Sequence, residues 1–237
     1  MKTVAILQAR MASTRLPGKV LFVCQGQTIL SWVTNAVRST YGVDEVCVAI
    51  PDGIANEQIV AEAKKLDARI VRGSEKDVLA RFAKAANETN ADNIMRVTSD
   101  CPYSDPKLNA QLLEIFVKKQ ADYACNNEPF SFPHGLDCEI FTKEMLHKAN
   151  IDANEQYDRE HVTPWIKRKK NIKKCYLLSN IQKVEKIRLT VDYEEDFLLL
   201  QKISDYLGND LNDHQKVLKL LRSHPEMLEI NKNRLQR

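Results

Sequence analysis

Arg10, Arg15 and Lys19 crowd into the stretch LQARMASTRLPGKVL, Leu7 to Leu21, with Ser13, Thr14, Pro17 and Gly18 between them. Small residues let backbone amides approach phosphate oxygens and form an anion-binding concavity. Arginine adds forked donors that match phosphate, and lysine adds a point charge. Pro17 stiffens the loop, while Gly18 relaxes the steric limits on its turn. Two readings stand on residue types alone: a solvated loop with ordinary surface charges, or a socket for a polyphosphate. Neither a Walker P-loop nor a GxGxxG fingerprint occurs.

Two carboxylates could serve the same phosphates. Asp100 follows NIMRVTS and precedes Cys101-Pro102, and Asp192 ends LTVD just before EEDF. Separately, Asp100 reads as a turn carboxylate and Asp192 as a helix N-cap. Together with the basic loop they suggest Mg²⁺, which commonly sits between a few carboxylates and substrate phosphates. Cations, paired carboxylates and a small-residue loop are the parts that nucleotidyl transfer needs.

The elements that must position them alternate. TVAILQ reads as a buried strand leading into the basic loop, and Thr28 to Ser39 as an amphipathic helix. EVCVAI, ARIVRG, DNIMRVTSD and DYACN read as further strands. Asn56 to Leu66 and Asp77 to Glu88 read as helices, and Asp105-Pro106 opens one that runs to about Lys119. The alternation and the apolar strands predict a parallel sheet covered on both faces. Ligands bind such sheets at the carboxyl ends of the strands, where the basic loop and Asp100 fall. In the second half GLDCEIFT alternates in period two, which predicts one polar strand face. Glu160 to Lys169 reads as a helix, KIRLTVD as a strand, and Glu194 to Leu207 and His214 to Leu221 as helices. The tail HPEMLEINKNRLQR is polar and weakly patterned.

The 237 residues suffice for one α/β domain, and no repeat or low-complexity linker divides them. A net charge of +3, from 35 basic and 32 acidic residues, is too small for general nucleic-acid binding. The basic run KRKKNIKK, Lys167 to Lys174, lacks interleaved aromatics and reads as a solvated face at a helix end. No apolar run nears the roughly 18 residues of a membrane helix. MKTVAILQAR holds no long apolar h-region, so a cytoplasmic location is the expectation. The six cysteines are widely spaced and form no C-x-x-C pair, so they are expected to be reduced.

QARMASTRLPGKVL closely resembles the signature loop of the sugar cytidylyltransferases that make CMP-activated acidic sugars, the CMP-Kdo and CMP-acylneuraminate synthetases. The branch of spore coat polysaccharide biosynthesis protein F is most similar. It also resembles RGSEKDVLARF at 72–82, SDCPYSDP at 99–106, FPHGLDCEIF at 132–141, REHVTPWI at 159–166 and LTVDYEEDF at 189–197. The similarity is ordered and spans residues 3 to about 200.

The resemblance implies a nucleotide-diphospho-sugar transferase fold, a Rossmann-like α/β/α sandwich with a mixed, mostly parallel sheet. It implies transfer of CMP from CTP to an acidic sugar, with Mg²⁺ as cofactor and pyrophosphate released. Arg10, Arg15, Lys19 and Asp100 would be catalytic. Gln8, Ala9, Ser13, Gly18, Arg72, Gly73, Ser74 and Asp77 would join the three cations in binding nucleotide. Asn126, His134, Asp137, Glu139, Arg159 and His161 would face the sugar. Asp100 and Asp192 would hold the metal. Residues 125–180 would form a sugar-binding and dimerisation subregion of a single domain spanning 1–237, and a homodimer is the expected assembly. Three positions depart from the pattern: Gln25-Gly26-Gln27-Thr28 stands where G-G-K-P is common, Ser99 for glycine, and His134 for aspartate. Another nucleotide or sugar, a glycosyltransferase of the same fold, and a non-catalytic nucleotide-binding module are the alternative readings.

Overall fold

A computed structural model describes residues 1–235. β1 (Thr3–Gln8) leads through the basic loop to a small hairpin, β2 (Val23–Cys24) and β3 (Gln27–Thr28). There follow α1 (Ile29–Arg38), β4 (Glu45–Pro51), α2 (Glu57–Lys65), β5 (Arg69–Gly73), α3 (Val78–Glu88), β6 (Asn93–Thr98), α4 (Pro106–Lys118) and β7 (Tyr123–Cys125). The second half adds β8 (Glu139–Thr142), α5 (Lys143–Asp152), α6 (Gln156–His161), α7 (Pro164–Arg168), β9 (Lys174–Tyr176), α8 (Glu194–Leu207) and α9 (His214–Ser223).

The main sheet has the order β5-β4-β1-β6-β8-β7-β9. β5, β4, β1 and β6 pair in parallel. β8 is antiparallel to both its neighbours, and β7 and β9 are again parallel. The sheet is therefore mixed and mostly parallel, as expected. Val4 to Leu7 in β1 are fully buried because helices cover both faces. Ala5 and Leu7 pack with Leu30, Val33 and Leu112 on one side. Val4 and Ile6 pack with Leu79, Phe82 and Leu146 on the other. Each such aliphatic or Phe side chain contributes on the order of 1.5–3 kcal/mol. A third cluster joins α8 and α9 to Trp32, Tyr103 and Leu136.

Local caps set the helix starts. Thr28 accepts Ser31 N at 3.0 Å, Asp77 accepts Ala80 N at 2.9 Å, and Asp105 accepts Lys107 N at 2.7 Å ahead of Pro106.

Four expectations for the second half need correction. The GLDCEIFT strand has no polar face: it shrinks to β8, where Glu139, Ile140 and Phe141 are all buried. β8 lies inside the sheet, and its charge is retained by ion pairing rather than by water. The helix expected over 160–169 is two, α6 and α7. Val162 at φ 71° interrupts it, and a second helix starts at the proline at 164, which suits the first helical turn. KIRLTVD forms no strand beyond a single bridge between His134 and Arg188. It runs past the strand ends, where its amides bond to loops: Leu189 N to His134 O at 2.7 Å and Val191 N to Asp100 O at 2.8 Å. The polar tail, in the part described, packs inward through Met227 and Asn231. The basic run is partly structural, since Lys167 pairs with Glu139 at 2.9 Å and Lys169 lies 3.7 Å over the Trp165 ring. All six cysteines are free and buried. Among the described residues, no helix is long and apolar enough to cross a membrane.

Candidate active site

A cleft of about 580 Å³ opens at the carboxyl ends of β1 and β6. Its floor is Gln8, Ala9, Thr98 and Ser99, and the basic loop supplies Arg10, Ser13, Thr14, Arg15 and Lys19. The loop is closed by its own backbone. Met11 O accepts Ser13 N at 2.9 Å and Gly18 N at 3.0 Å, and Met11 N donates to Asn56 Oδ1 at 3.0 Å. Gly18 adopts φ 70°, a region that favours glycine, and it starts the short 3₁₀ turn Lys19–Leu21. That turn aims Lys19 inward.

Lys19 Nζ lies 2.6 Å from Asp100 Oδ2 and 2.7 Å from Asp192 Oδ1. The two aspartates, 92 positions apart, thus converge on one cation. Burial works against the Lys19 charge, but Asp100 and Asp192 outweigh it and raise its pKa. Burial likewise opposes ionisation of Asp100, yet Lys19 prevails and holds that carboxyl down at about 2. Asp192 Oδ1 also takes Arg15 at 2.9 Å, and its Oδ2 takes Arg188 at 2.9 Å.

Asp192 is not the cap of α8. Tyr193 is the N-cap, and Asp196 reaches back to accept Asp192 N at 2.9 Å and Tyr193 N at 3.1 Å. This leaves the Asp192 carboxylate free to face the cleft. Arg188, 3 % exposed, grips Asp196 at 3.0 Å and lies 3.2 Å from His134 Nδ1. Asn231 donates to Asp196 Oδ1 at 2.8 Å, so the tail buttresses the same corner. Gly135 permits the close crossing of the His134 loop: a Cβ there would stand 2.4 Å from Leu189 C and Thr190 N.

The opposite wall comes from α3 and α6, as Val78, Arg81, Glu160 and His161, with Arg96 from β6. Arg81 is 2 % exposed, and burial followed by the nearby Arg10 charge lowers its pKa to about 10. Burial also depresses the His161 pKa. Glu160 acts against that shift, and Arg96 and Arg10 add to it.

Several residues expected at the site stand behind it. Arg72 lies outside the cleft and pairs with Glu57 at 2.6 Å. Ser74 O accepts an Arg81 Nη, and Asp77 both caps α3 and pairs with Arg159. Asn126 is fully buried, and its amide bridges Leu136 O at 2.7 Å and Cys138 N at 2.8 Å. Glu139 takes Arg96, Lys167 and Tyr123; burial would raise its pKa, but Arg96 and Lys167 hold it at about 2. Asp137 accepts Gly135 N at 2.8 Å and lies 3.9 Å from His134 Nε2. The sequence reading missed Arg81 and Arg96. Both sat in quoted segments, yet only helix phase and strand face turn them toward the cleft.

The profile of the cytidylyltransferase family matches residues 4–227. The chain belongs to this family. It is accordingly a nucleotidyltransferase, and its mixed seven-stranded sheet is that of the cytidylyltransferase fold. An uncharacterized protein of Methanocaldococcus jannaschii is 35% identical over 238 residues, covering 98% of this chain and 96% of its own. Spore coat polysaccharide biosynthesis protein SpsF of Bacillus subtilis is 30% identical over 210 residues, 86% of each chain. The solved structure of a cytidylyltransferase from Leptospira borgpetersenii superposes with a TM-score of 0.91 at 28% identity, covering 96% of this chain and 97% of that one.

The donor set suits a hard divalent cation. Two carboxylates already share one cation, and their oxygens match Mg²⁺ or Mn²⁺. Among the described residues, no group of three or more His, Cys, Asp or Glu side chains could hold a metal without help. Two carboxylates completed by substrate phosphates is the arrangement Mg²⁺ favours.

Proposed function

We propose that the protein transfers CMP from CTP to an acidic sugar, sialic-acid-like or Kdo-like, in surface polysaccharide biosynthesis. One observation carries this reading: the cleft pairs six cations, Arg10, Arg15, Lys19, Arg81, Arg96 and Arg188, with three carboxylates, Asp100, Glu160 and Asp192. The basic loop alone suffices for a triphosphate. The further cations on the α3 and β6 wall fit a second anion, such as the carboxylate of an acidic acceptor.

Arg10, Arg15 and Lys19 would bind the triphosphate, with Gln8, Ala9, Ser13 and Gly18 shaping the loop. Gly73, Ser74 and Asp77 would serve the nucleotide indirectly, as the mounting of Arg81, while Arg72 would brace the outer rim through Glu57. His134 and His161 would face the sugar. Asn126, Asp137, Glu139 and Arg159 would support those two and Arg96 from behind. Residues 125–180 would be the sugar-facing subregion of one domain. The exposed Ile151, Tyr157, Tyr176 and Leu178 in that segment offer apolar surface for a homodimer. A cytoplasmic location belongs to the same reading, because CTP is an intracellular substrate.

In the reaction, a sugar hydroxyl oxygen bonds to the α-phosphorus while the bond to pyrophosphate breaks, and the hydroxyl proton leaves to solvent. Arg15 and Lys19 would take up the negative charge that develops on pyrophosphate. Asp100 and Asp192 would hold Mg²⁺, which polarises the α-phosphate when bound. His161 would hydrogen-bond a sugar hydroxyl.

The test is incubation with CTP, Mg²⁺ and a panel of acidic and neutral sugars, read by mass spectrometry. A CMP-sugar with an acidic sugar, and pyrophosphate released in equal amount, is the expected result. Products only with neutral sugars, or release of a nucleoside diphosphate, would overturn it.

A further inference from the structure

Lys19 Nζ occupies the point shared by the two cleft carboxylates, 2.6 Å from Asp100 and 2.7 Å from Asp192. Asp192 holds two further cations, Arg15 and Arg188, each at 2.9 Å. Arg188 is itself gripped by Asp196. Three cations, Arg15, Lys19 and Arg188, thus face three carboxylates, Asp100, Asp192 and Asp196, and the network is neutral. The Lys19, Asp192 and Asp196 side chains are at most 10 % exposed, so water screens their charges weakly.

A divalent cation shared by Asp100 and Asp192 needs the same oxygens that Lys19 now contacts. Adding two positive charges to a neutral network is unfavourable unless cations leave it. Lys19 and Arg15 belong to the phosphate loop and sit on long, flexible stems. Arg188 comes from the facing segment and is anchored by Asp196. A polyphosphate that draws Lys19 and Arg15 to itself leaves one guanidinium against three carboxylates. The residual charge is −2, the charge a divalent cation neutralises.

We propose that Lys19 competes with the metal: its ammonium holds the position between Asp100 and Asp192 and gives it up when a polyphosphate draws it away. Metal and nucleotide then bind cooperatively, each strengthening the other by the same factor. The proposal rests on the nucleotidyl-transfer reading of the site. It gives Lys19 a role beyond contacting phosphate, and it makes nucleotide arrival the event that creates metal affinity.

Binding of Mn²⁺, followed by the electron paramagnetic resonance signal of the free ion without nucleotide, tests this. Lys19→Met is expected to bind Mn²⁺ about ten-fold or more tighter than wild type, within the usual 5–150-fold span of coupling between sites. Adding Asp192→Asn to Lys19→Met should remove the gain. Equal or weaker Mn²⁺ binding by Lys19→Met overturns the proposal, since a residue that only contacts phosphate leaves metal affinity unchanged. Lys19→Gln keeps a hydrogen-bond donor for Asp100 and covers the case in which the Met variant fails to fold; the same gain is expected. Mn²⁺ should also raise the melting temperature of either variant more than that of wild type. The parent reading fails separately. Wild-type turnover of CTP with no gain in the variants sinks only the Lys19 role. A clear gain with no turnover on any sugar sinks only the reaction.

Discussion

The carbonyl of Asp100 accepts the amide of Val191 at 2.8 Å, and this bond clamps the segment of one aspartate to that of the other. Thr190 Oγ1 adds a second link to the same carbonyl at 3.2 Å. Lys19 then joins the two carboxylates from the third side. The paired acids are a product of three chain segments that meet beyond the strand ends.

Asp100→Asn and Asp192→Asn should each lower CTP-dependent pyrophosphate release by on the order of 10²–10³, the usual effect of removing one preorganised electrostatic group. Both variants keep side-chain volume. Release within a few-fold of wild type in both would remove the aspartates from the chemistry.

Arg81 lines the cleft and Arg72 does not. Arg81→Met should reduce kcat/KM for CTP or for the acceptor by about ten-fold or more. Arg72→Met, which removes an outer pair with Glu57, should change it less than about two-fold. Steady-state kinetics of both variants check the assignment; equal losses would return Arg72 to the site.

Gly135→Ala forces a side chain into φ 108° and places its Cβ 2.4 Å from two backbone atoms of the 188–192 segment. A loss above about 2 kcal/mol in urea unfolding is expected, typical of strain that nothing nearby can relieve. Activity should fall further than stability explains, because Arg188 and Asp192 lie in the displaced segment. A stable, fully active variant would show that the crossing is loose.

Asp100 and Glu139 both titrate near 2 in the folded chain, below the roughly 3.9 and 4.3 of unfolded carboxyls. A depressed folded pKa means that the stabilisation is present above the unfolded value and is lost as pH falls through the folded one. Stability should therefore drop between about pH 4 and pH 2. Glu139→Gln should flatten that part of the profile while lowering stability at pH 7, where Arg96 and Lys167 lose their partner. Chemical denaturation across this range is the measurement; an unchanged slope would mean the Glu139 pairs are already present in the unfolded chain.

The sequence by itself determined much of this protein. Apolar strand runs alternating with capped helices specified the parallel half, because burial on both faces and the Thr28, Asp77 and Asp105 caps act locally. The loop motif identified the family and grouped Arg10, Arg15 and Lys19 at one edge of the cleft, since loop and strand are contiguous in the chain. The tertiary structure alone decided the rest. Glu139 looked like half of a polar strand face, but its place inside the sheet turned it into a buried partner of Arg96 and Lys167. KIRLTVD looked like a strand, but the sheet ended before reaching it, and its amides turned to the loops of His134 and Asp100. Arg81 entered the cleft through the phase of α3. The meeting of Lys19 with Asp100 and Asp192 spans 173 positions, and no local pattern encodes a contact that depends on how three separate segments pack.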